Sequence, residues 1–175
     1  MERFDLSEWQ SQTTESLIDC IQTQFHNNLR EKLPPILALF EKVASRHGAT
    51  FPELHDALVL YRQFSQKIPL HLLKEEQILF PLLLAQEKSA SSNKSSLPDV
   101  QLAHPIMALE VEHEEDREIF SDIQRLLKDF NPPEGACSSY RLLLESLRAI
   151  KTEFFLHVAI ENEILFKRFQ TDLES

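Results

Sequence analysis

Glycine and cysteine are both scarce in this chain, which has 175 residues and only two of each. Glycine is the usual residue at strained turns, so two glycines beside long runs rich in Leu, Glu, Lys and Gln indicate few turns and long helices. Cys20 and Cys137 are too few for a disulfide framework and lack the paired spacing of a zinc site. The sequence predicts an all-α protein that is stabilised neither by disulfide bonds nor by a structural zinc site.

Positively charged residues are also few: the chain has 18 Lys and Arg against 28 Asp and Glu, which gives a net charge of −10. Nucleic-acid binding draws its affinity from Lys and Arg at phosphates, so no nucleic-acid partner is expected. No apolar run approaches the roughly 18 residues of a membrane span, and the first residues lack the pattern of a signal peptide. We therefore expect no membrane partner and a cytoplasmic location.

Four long segments carry apolar residues at the three- and four-residue spacing of an amphipathic helix. They predict an up-down four-helix bundle in residues 14–175, preceded by a short N-terminal extension, residues 1–13. The predicted helices cover about 14–47, 52–87, 98–130 and 138–169.

Prolines and glycines refine these boundaries. Gly48 is expected as the C′ residue that ends the first helix. Pro69, inside the second helix, predicts a kink or break, and residues 88–97 predict a polar loop.

One motif, H-x-x-x-E-x-x-I-L-F, occurs twice, at 71–80 and at 157–166. Residues four apart lie on one face of a helix, so each copy places an imidazole beside a carboxylate on the apolar stripe, which its Ile and Leu continue. Buried His and Glu side chains are costly unless something satisfies them, and a metal ion satisfies both.

The first and third helices each add one stripe histidine, His26 and His113. These are 87 residues apart (113 − 26), and the motif histidines are 86 apart (157 − 71). At about 1.5 Å of rise per residue, His26 lies about 31 Å before the first turn and His71 about 36 Å after it, at a similar height. The sequence therefore predicts a metal site made of six side chains at one level: His26, His71, Glu75, His113, His157 and Glu161.

Other polar residues are predicted to lie outside the ligand set. His47, His55 and His104 fall too far along the helices and are expected at the surface or at helix ends. The acidic run 110–116 is expected to be mostly a solvated face, from which Glu112 or Glu110 could support a ligand.

Mixed imidazole and carboxylate ligands favour iron, with manganese as a second choice, over zinc, magnesium or calcium. Six ligands shared by two ions, with both glutamates bridging, leave positions open for oxo, O₂ or NO. A ferritin-type site is disfavoured because that bundle uses Glu-x-x-His pairs and more carboxylates. The remaining alternative is a metal-free helical interaction protein with hydrogen-bonded histidines.

Taken together, the motifs resemble the hemerythrin-like di-iron domain of the RIC (repair of iron centres) proteins. The resemblance rests on F-H-x-x-L-R-x-x-L-P at 25–34, K-V-x-x-x-H-G at 42–48, H-L-x-K-E-E-x-x-L-F-P at 71–81, E-H at 112–113 and H-x-x-x-E-N-x-x-L-F at 157–166. It implies the same six ligands around two bridged iron ions. We expect this protein to lack the family's N-terminal Cys-pair domain, and Phe25 stands where a second His is usual.

The resemblance implies a role in nitrosative and oxidative stress. The expected activity is repair of damaged iron–sulfur clusters by iron donation, with NO, O₂ or peroxide as small ligands and damaged iron–sulfur proteins as clients. The alternative is a hemerythrin-like carrier or sensor that binds O₂ or NO reversibly.

Overall fold

The computed structural model of the protein describes residues 4–91 and 99–170. Within these residues the chain is helical and contains no strand, which confirms the predicted all-α class. No helix in these ranges is long and apolar enough to cross a membrane. The α-helices are α1 (Ser7–Gln10), α2 (Thr14–Cys20), α3 (Asn27–His47), α4 (Glu53–Lys74), α5 (Phe80–Ser91), α6 (Asp99–Leu126) and α7 (Ser138–Ile160).

Three π-helical turns make four long segments out of these helices. Ile21–His26 joins α2 to α3, Glu75–Leu79 joins α4 to α5, and Glu161–Leu165 extends α7. We call α2–α3, α4–α5, α6 and α7 with its extension the first to fourth segments. The second segment packs against the first and the third, and the fourth packs against the first and the third, as the predicted four-helix bundle requires.

The N-terminal end of the first segment is capped by Thr13. The hydroxyl of Thr13 accepts a hydrogen bond from the backbone N–H of Ser16, so α2 begins at Thr14. Before it, Leu6 and Trp9 pack on the bundle, and the guanidinium of Arg168 donates to backbone carbonyls of the extension.

The first segment ends at the predicted residue, because α3 stops at His47, but Gly48 is not the C′ residue that the sequence predicted. This residue has φ −62° and ψ −25°, which is right-handed helical backbone, so the left-handed C′ assignment is wrong. A Cβ at position 48 would lie 2.1 Å from Nε2 of His55 and 2.5 Å from the carbonyl oxygen of Ala44. The His55 imidazole is exposed and could move aside, so the fixed obstacle to a side chain at position 48 is the Ala44 carbonyl of α3 itself.

The second and third segments also depart from their predicted boundaries. Helix α4 continues through Pro69 without a break, and the irregularity comes later, at the π turn that begins at Glu75. Residues 88–91, predicted as loop, are the last turn of α5, while 92–98 lie outside the described residues.

The third segment ends earlier than residue 130. Helix α6 stops at Leu126, and Lys128, Asp129 and Phe130 have positive φ values of 50°, 57° and 57°. The Phe130 side chain is buried, and the Arg148 guanidinium donates to the carbonyl oxygens of residues 129 and 130. These contacts stabilise a turn that local propensity disfavours.

The apolar interior consists of two clusters at different heights in the bundle. One lies toward the turn at Gly48 and is rich in aromatic rings, with the Phe64 and Phe120 ring centres 4.6 Å apart and those of Phe64 and Phe154 5.1 Å apart. The other surrounds Ile21, Leu79 and Leu165 toward the opposite end. A layer of buried histidines and carboxylates lies between them.

Candidate metal centre

All six predicted site residues lie in this buried layer. His26, Glu75, His113, His157 and Glu161 are 0% exposed and His71 is 1% exposed. The first and third segments contribute one histidine each, and the second and fourth contribute one copy each of the His-x-x-x-Glu pair. The layer therefore takes side chains from every segment of the bundle.

The first pair of imidazoles comes from the first and fourth segments. Nε2 of His26 lies 3.2 Å from Nε2 of His157. Oε1 of Glu161 lies 3.0 Å from Nε2 of His157 and 3.9 Å from Nε2 of His26. Oε2 of Glu75 lies 3.4 Å from Nε2 of His26.

The second pair comes from the second and third segments, with Nε2 of His71 and Nε2 of His113 3.1 Å apart. Oε1 of Glu75 lies 3.3 Å from Nε2 of His71 and 3.6 Å from Nε2 of His113. Oε2 of Glu161 lies 3.3 Å from Nε2 of His113. Each carboxylate thus directs one oxygen toward each imidazole pair.

These donor atoms fit metal ions. Two nitrogens bonded to one ion at about 2.1 Å and near a right angle are about 3 Å apart, close to the separation within each pair. All four carboxylate oxygens of Glu75 and Glu161 are buried and accept no hydrogen bond from the described residues. A buried carboxylate without donors is costly, and a cation is the group that would satisfy it.

Two groups of these residues have donor atoms within 4.8 Å of one another. One group is His26, Glu75, His157 and Glu161, and the other is His71, Glu75 and His113. Glu75 belongs to both, and Glu161 reaches the second through its contact with His113. The arrangement can hold two ions that share carboxylates.

The ionisation of the side chains reflects this crowding. Burial opposes charge on His71, but the Glu75 and Glu112 carboxylates outweigh it and raise the pKa of His71 to about 9. Burial also opposes ionisation of Glu75, yet His71 and His113 hold the pKa of its carboxyl well below the usual range. Burial lowers the pKa of His157, which favours the neutral imidazole that binds metal.

Three of the four histidines are oriented by an acceptor at Nδ1. His26 Nδ1 donates to Glu76 at 2.8 Å and His113 Nδ1 donates to Asn162 at 2.9 Å. His71 Nδ1 donates to Oε2 of Glu112 at 3.0 Å. Such acceptors fix the ring and strengthen Nε2 as a ligand.

Each acceptor is next in sequence to a predicted ligand but accepts its hydrogen bond from a histidine of a neighbouring segment. Glu76 follows Glu75, and Asn162 follows Glu161. Helical periodicity alone did not identify Glu76 or Asn162, because it predicts that the residue after a buried one faces the surface. Their adjacency to the glutamate in both motif copies was the available signal. Glu110, weighed beside Glu112 as a supporting residue, instead accepts a hydrogen bond from Gln170.

A π turn lies between the glutamate and the final phenylalanine of each motif copy, and it explains where that phenylalanine points. The N–H of Phe80 bonds to the carbonyl of Glu75, five residues back, and Phe166 bonds to Glu161 in the same way. The extra residue in the turn rotates each phenyl ring inward. Phe80 then stacks on His26 and Phe166 stacks on His113, with ring centres 5.9 and 6.2 Å apart.

One prediction for this stripe is wrong. Ile78, expected on the buried stripe, is 54% exposed, whereas Leu79, Ile164 and Leu165 are buried as predicted. Beyond Glu75 the buried positions come one residue later than an uninterrupted α-helix would place them.

Substituting Glu112 tests the outer hydrogen bonds. Glu112→Gln keeps the shape but loses the charge that orients His71, so metal affinity is expected to fall about 10–100-fold. The matched control is Glu114→Gln, an exposed position on the same helix. Competition with a chelator measures both affinities, and equal values for the two variants would contradict the assigned role.

Asp116 is the exception in an acidic run that was expected to be mostly a solvated face. Its side chain is 0% exposed, and Nζ of Lys67 lies 3.2 Å from Oδ1. The carboxylate accepts no hydrogen bond among the described residues, and burial raises its pKa.

This raised pKa predicts a pH-dependent stability. The folded protein binds the Asp116 proton more tightly than the unfolded chain does. The carboxyl therefore destabilises the fold increasingly as the pH rises above 3.8, the ordinary pKa of an aspartate. In metal-free protein, Asp116→Asn should therefore gain melting temperature relative to the parent between pH 4 and pH 7. Thermal melts at both pH values measure the gain, with the exposed Asp122→Asn as control. A difference that shrinks with rising pH would contradict the prediction.

The other histidines lie outside the cluster, at helix ends or the surface. Nε2 of His47 lies 3.1 Å from Sγ of Cys137, at the end of the bundle where α3 meets α7. His55 and His104 are exposed. Cys20 and Cys137 are free thiols.

Comparison with known proteins agrees with this geometry. Residues 21–169 match the model of the hemerythrin HHE cation binding domain. The chain belongs to the hemerythrin family. This match spans every segment of the bundle and all six site residues.

Within the hemerythrin family, the chain is similar to bacterial proteins named for cluster repair. It is 30% identical over 161 residues to the iron-sulfur cluster repair protein YtfE of Yersinia pestis, an overlap of 92% of this chain and 68% of that protein. It is 33% identical over 165 residues to a probable iron-sulfur cluster repair protein of Haemophilus influenzae, covering 92% of this chain and 67% of that one. The resemblance inferred from the motifs is confirmed.

Proposed function

We propose that this hemerythrin-family protein holds two iron ions and repairs damaged iron–sulfur clusters by donating iron. His26 and His157 would hold one ion, His71 and His113 the other, and Glu75 and Glu161 would bridge them. The observation that carries the proposal is that each glutamate directs one oxygen toward each imidazole pair, and those oxygens have no hydrogen-bond donor among residues 4–91 and 99–170.

Iron is the metal that best suits this ligand set. Four imidazoles and two carboxylates are a mixed donor set. Structural zinc usually prefers sites with thiolates, and magnesium and calcium prefer a shell made only of oxygen atoms. Iron bound there would supply redox chemistry and open positions for NO, O₂ or peroxide. The cluster-repair names of the relatives support iron as cargo as well as cofactor.

The protein's own residues would control loading and access. Without metal, a pKa of about 9 keeps His71 protonated at neutral pH, so binding must displace that proton. The cluster is buried between two apolar clusters, which limits water at the ions. We expect these events in the cytoplasm, with damaged iron–sulfur proteins as clients and no nucleic-acid partner.

The first test is the iron content of anaerobically reconstituted protein, with near-ultraviolet spectra before and after air. Two irons per chain with oxo-bridge bands are expected. The loaded protein is then mixed with an NO-inactivated iron–sulfur enzyme, and recovery of that enzyme's activity is measured against metal-free protein. Failure to load iron would refute the metal centre, and loading without recovery would refute repair.

Reversible binding of O₂ or NO is the second candidate. The observation that favours it is the aromatic cover over the imidazoles, where Phe25, Phe80 and Phe166 stack on His157, His26 and His113. A stable oxygenated spectrum that reverses under vacuum would select the carrier, whereas irreversible oxidation would exclude it.

A further inference from the structure

The outer contacts of the four histidines follow an approximate twofold relation between segments. Glu76 in the second segment contacts His26 in the first, as Asn162 in the fourth contacts His113 in the third. By the same relation, the residue before His113 and the residue before His26 should serve the remaining two histidines.

Only one of those two residues is an acceptor. Glu112 precedes His113 and accepts the hydrogen bond of His71. Phe25 precedes His26 and stacks on His157, with ring centres 5.6 Å apart and planes 14° apart. A phenyl ring therefore occupies the position from which a carboxylate serves the other half of the site.

His157 is left without a hydrogen-bond partner at its outer nitrogen. Its Nδ1 is buried and has no partner among the described residues. Besides Phe25, the ring of Phe154 lies edge-on to His157, with centres 6.2 Å apart. The outer face of this imidazole is thus covered by hydrocarbon.

We propose that the His26–His157 subsite is the one that releases iron, and that Phe25 sets this lability by denying His157 an acceptor. The proposal rests on the proposed two-iron function and assigns the donated ion to one subsite. The His71–His113 subsite, with Glu112 and Asn162 at both outer nitrogens, retains its ion.

The size of the difference follows from the missing hydrogen bond. An acceptor at the outer nitrogen fixes the ring and raises the basicity of the ligating nitrogen, and its loss weakens metal binding about 10–100-fold. The two subsites share both bridging glutamates, so a change confined to one outer nitrogen should act mainly on one ion. A protein that donates one ion while keeping the bundle ordered around the other needs this inequality.

The test is anaerobic transfer of ferrous iron from the fully loaded protein to a coloured ferrous chelator. Two phases of one iron each are expected, with rates that differ by about tenfold or more. Phe25→Glu should slow the fast phase toward the slow one. Phe25→Leu, which has no acceptor, is the matched control and should keep a fast phase.

A reciprocal variant tests the same idea from the other half. Glu112→Leu should remove the acceptor of His71 and accelerate the slow phase, leaving the fast phase nearly unchanged. Phe25→Gln provides a smaller, uncharged acceptor should Phe25→Glu fail to fold. Circular dichroism of each variant checks the helices.

The outcomes separate this inference from the function on which it rests. Release of both ions at one rate, unaffected by an acceptor at position 25, would overturn the subsite assignment and leave the two-iron centre standing. A parent protein that never loads two irons would overturn the proposed function itself.

Discussion

Glu75→Ala is expected to leave the protein with one iron ion per chain or none after anaerobic reconstitution. Its two oxygens approach opposite imidazole pairs, 3.4 Å from His26 and 3.3 Å from His71, so the substitution removes a ligand from both subsites. Glu161→Ala should have the same effect, because its oxygens approach His157 and His113 at 3.0 and 3.3 Å. Iron analysis of purified protein measures the loss.

The matched control is His55→Ala, which removes an imidazole at the exposed start of α4 and should leave both ions bound. Loss of iron from His55→Ala together with retention by Glu161→Ala would show that the ligand set is wrong. A second readout needs no metal. Because the Glu75 carboxylate raises the pKa of His71, that pKa should fall in metal-free Glu75→Ala, which an NMR titration would detect.

Phe64→Ala is expected to cost about 3–5 kcal/mol of unfolding free energy, the usual range for truncating a buried phenylalanine. Phe64 is fully buried and lies at the centre of an aromatic group in the cluster beneath the metal layer. Truncation leaves a cavity lined by helices of different segments, and these helices cannot all move inward to fill it. Chemical denaturation of the metal-free protein measures the change.

Leu142→Ala is the control for this substitution, since Leu142 is 53% exposed and should change stability by about 0.5 kcal/mol or less. Phe64→Ala does not touch a ligand, so protein that remains folded should still bind the parental amount of iron. A variant with normal stability would contradict the central role of Phe64, and one that folds but binds no iron would show that the aromatic cluster also positions the ligands.

The heights of the metal layer were predictable because helices rise by a constant amount per residue. Counting residues from His26 to the first turn and back to His71 predicted that the two histidines lie at a similar height, and in the structure both lie within 3.4 Å of Glu75 oxygens. The calculation needed no knowledge of side-chain packing. It depended only on helices that are continuous, and α3 and α4 pass through their prolines without a break.

Features that depend on a contact between segments were not predictable in this way. Gly48 was predicted from the left-handed backbone that glycine favours, whereas its backbone is right-handed and a Cβ there would meet the Ala44 carbonyl and the His55 imidazole. Asp116 was assigned to a solvated face, but the packing of α6 against α4 buries it beside Lys67. For Asp116 the deciding neighbour lies on another helix.

The π turns at Glu75 and Glu161 put the two halves of their helices out of phase. Each turn adds one residue, which rotates everything beyond it by about 100° relative to an uninterrupted α-helix. A periodicity measured across either glutamate therefore averages two different faces and underestimates how amphipathic the helix is. In this chain, the buried face has to be counted separately on the two sides of Glu75 and of Glu161, starting from that residue each time.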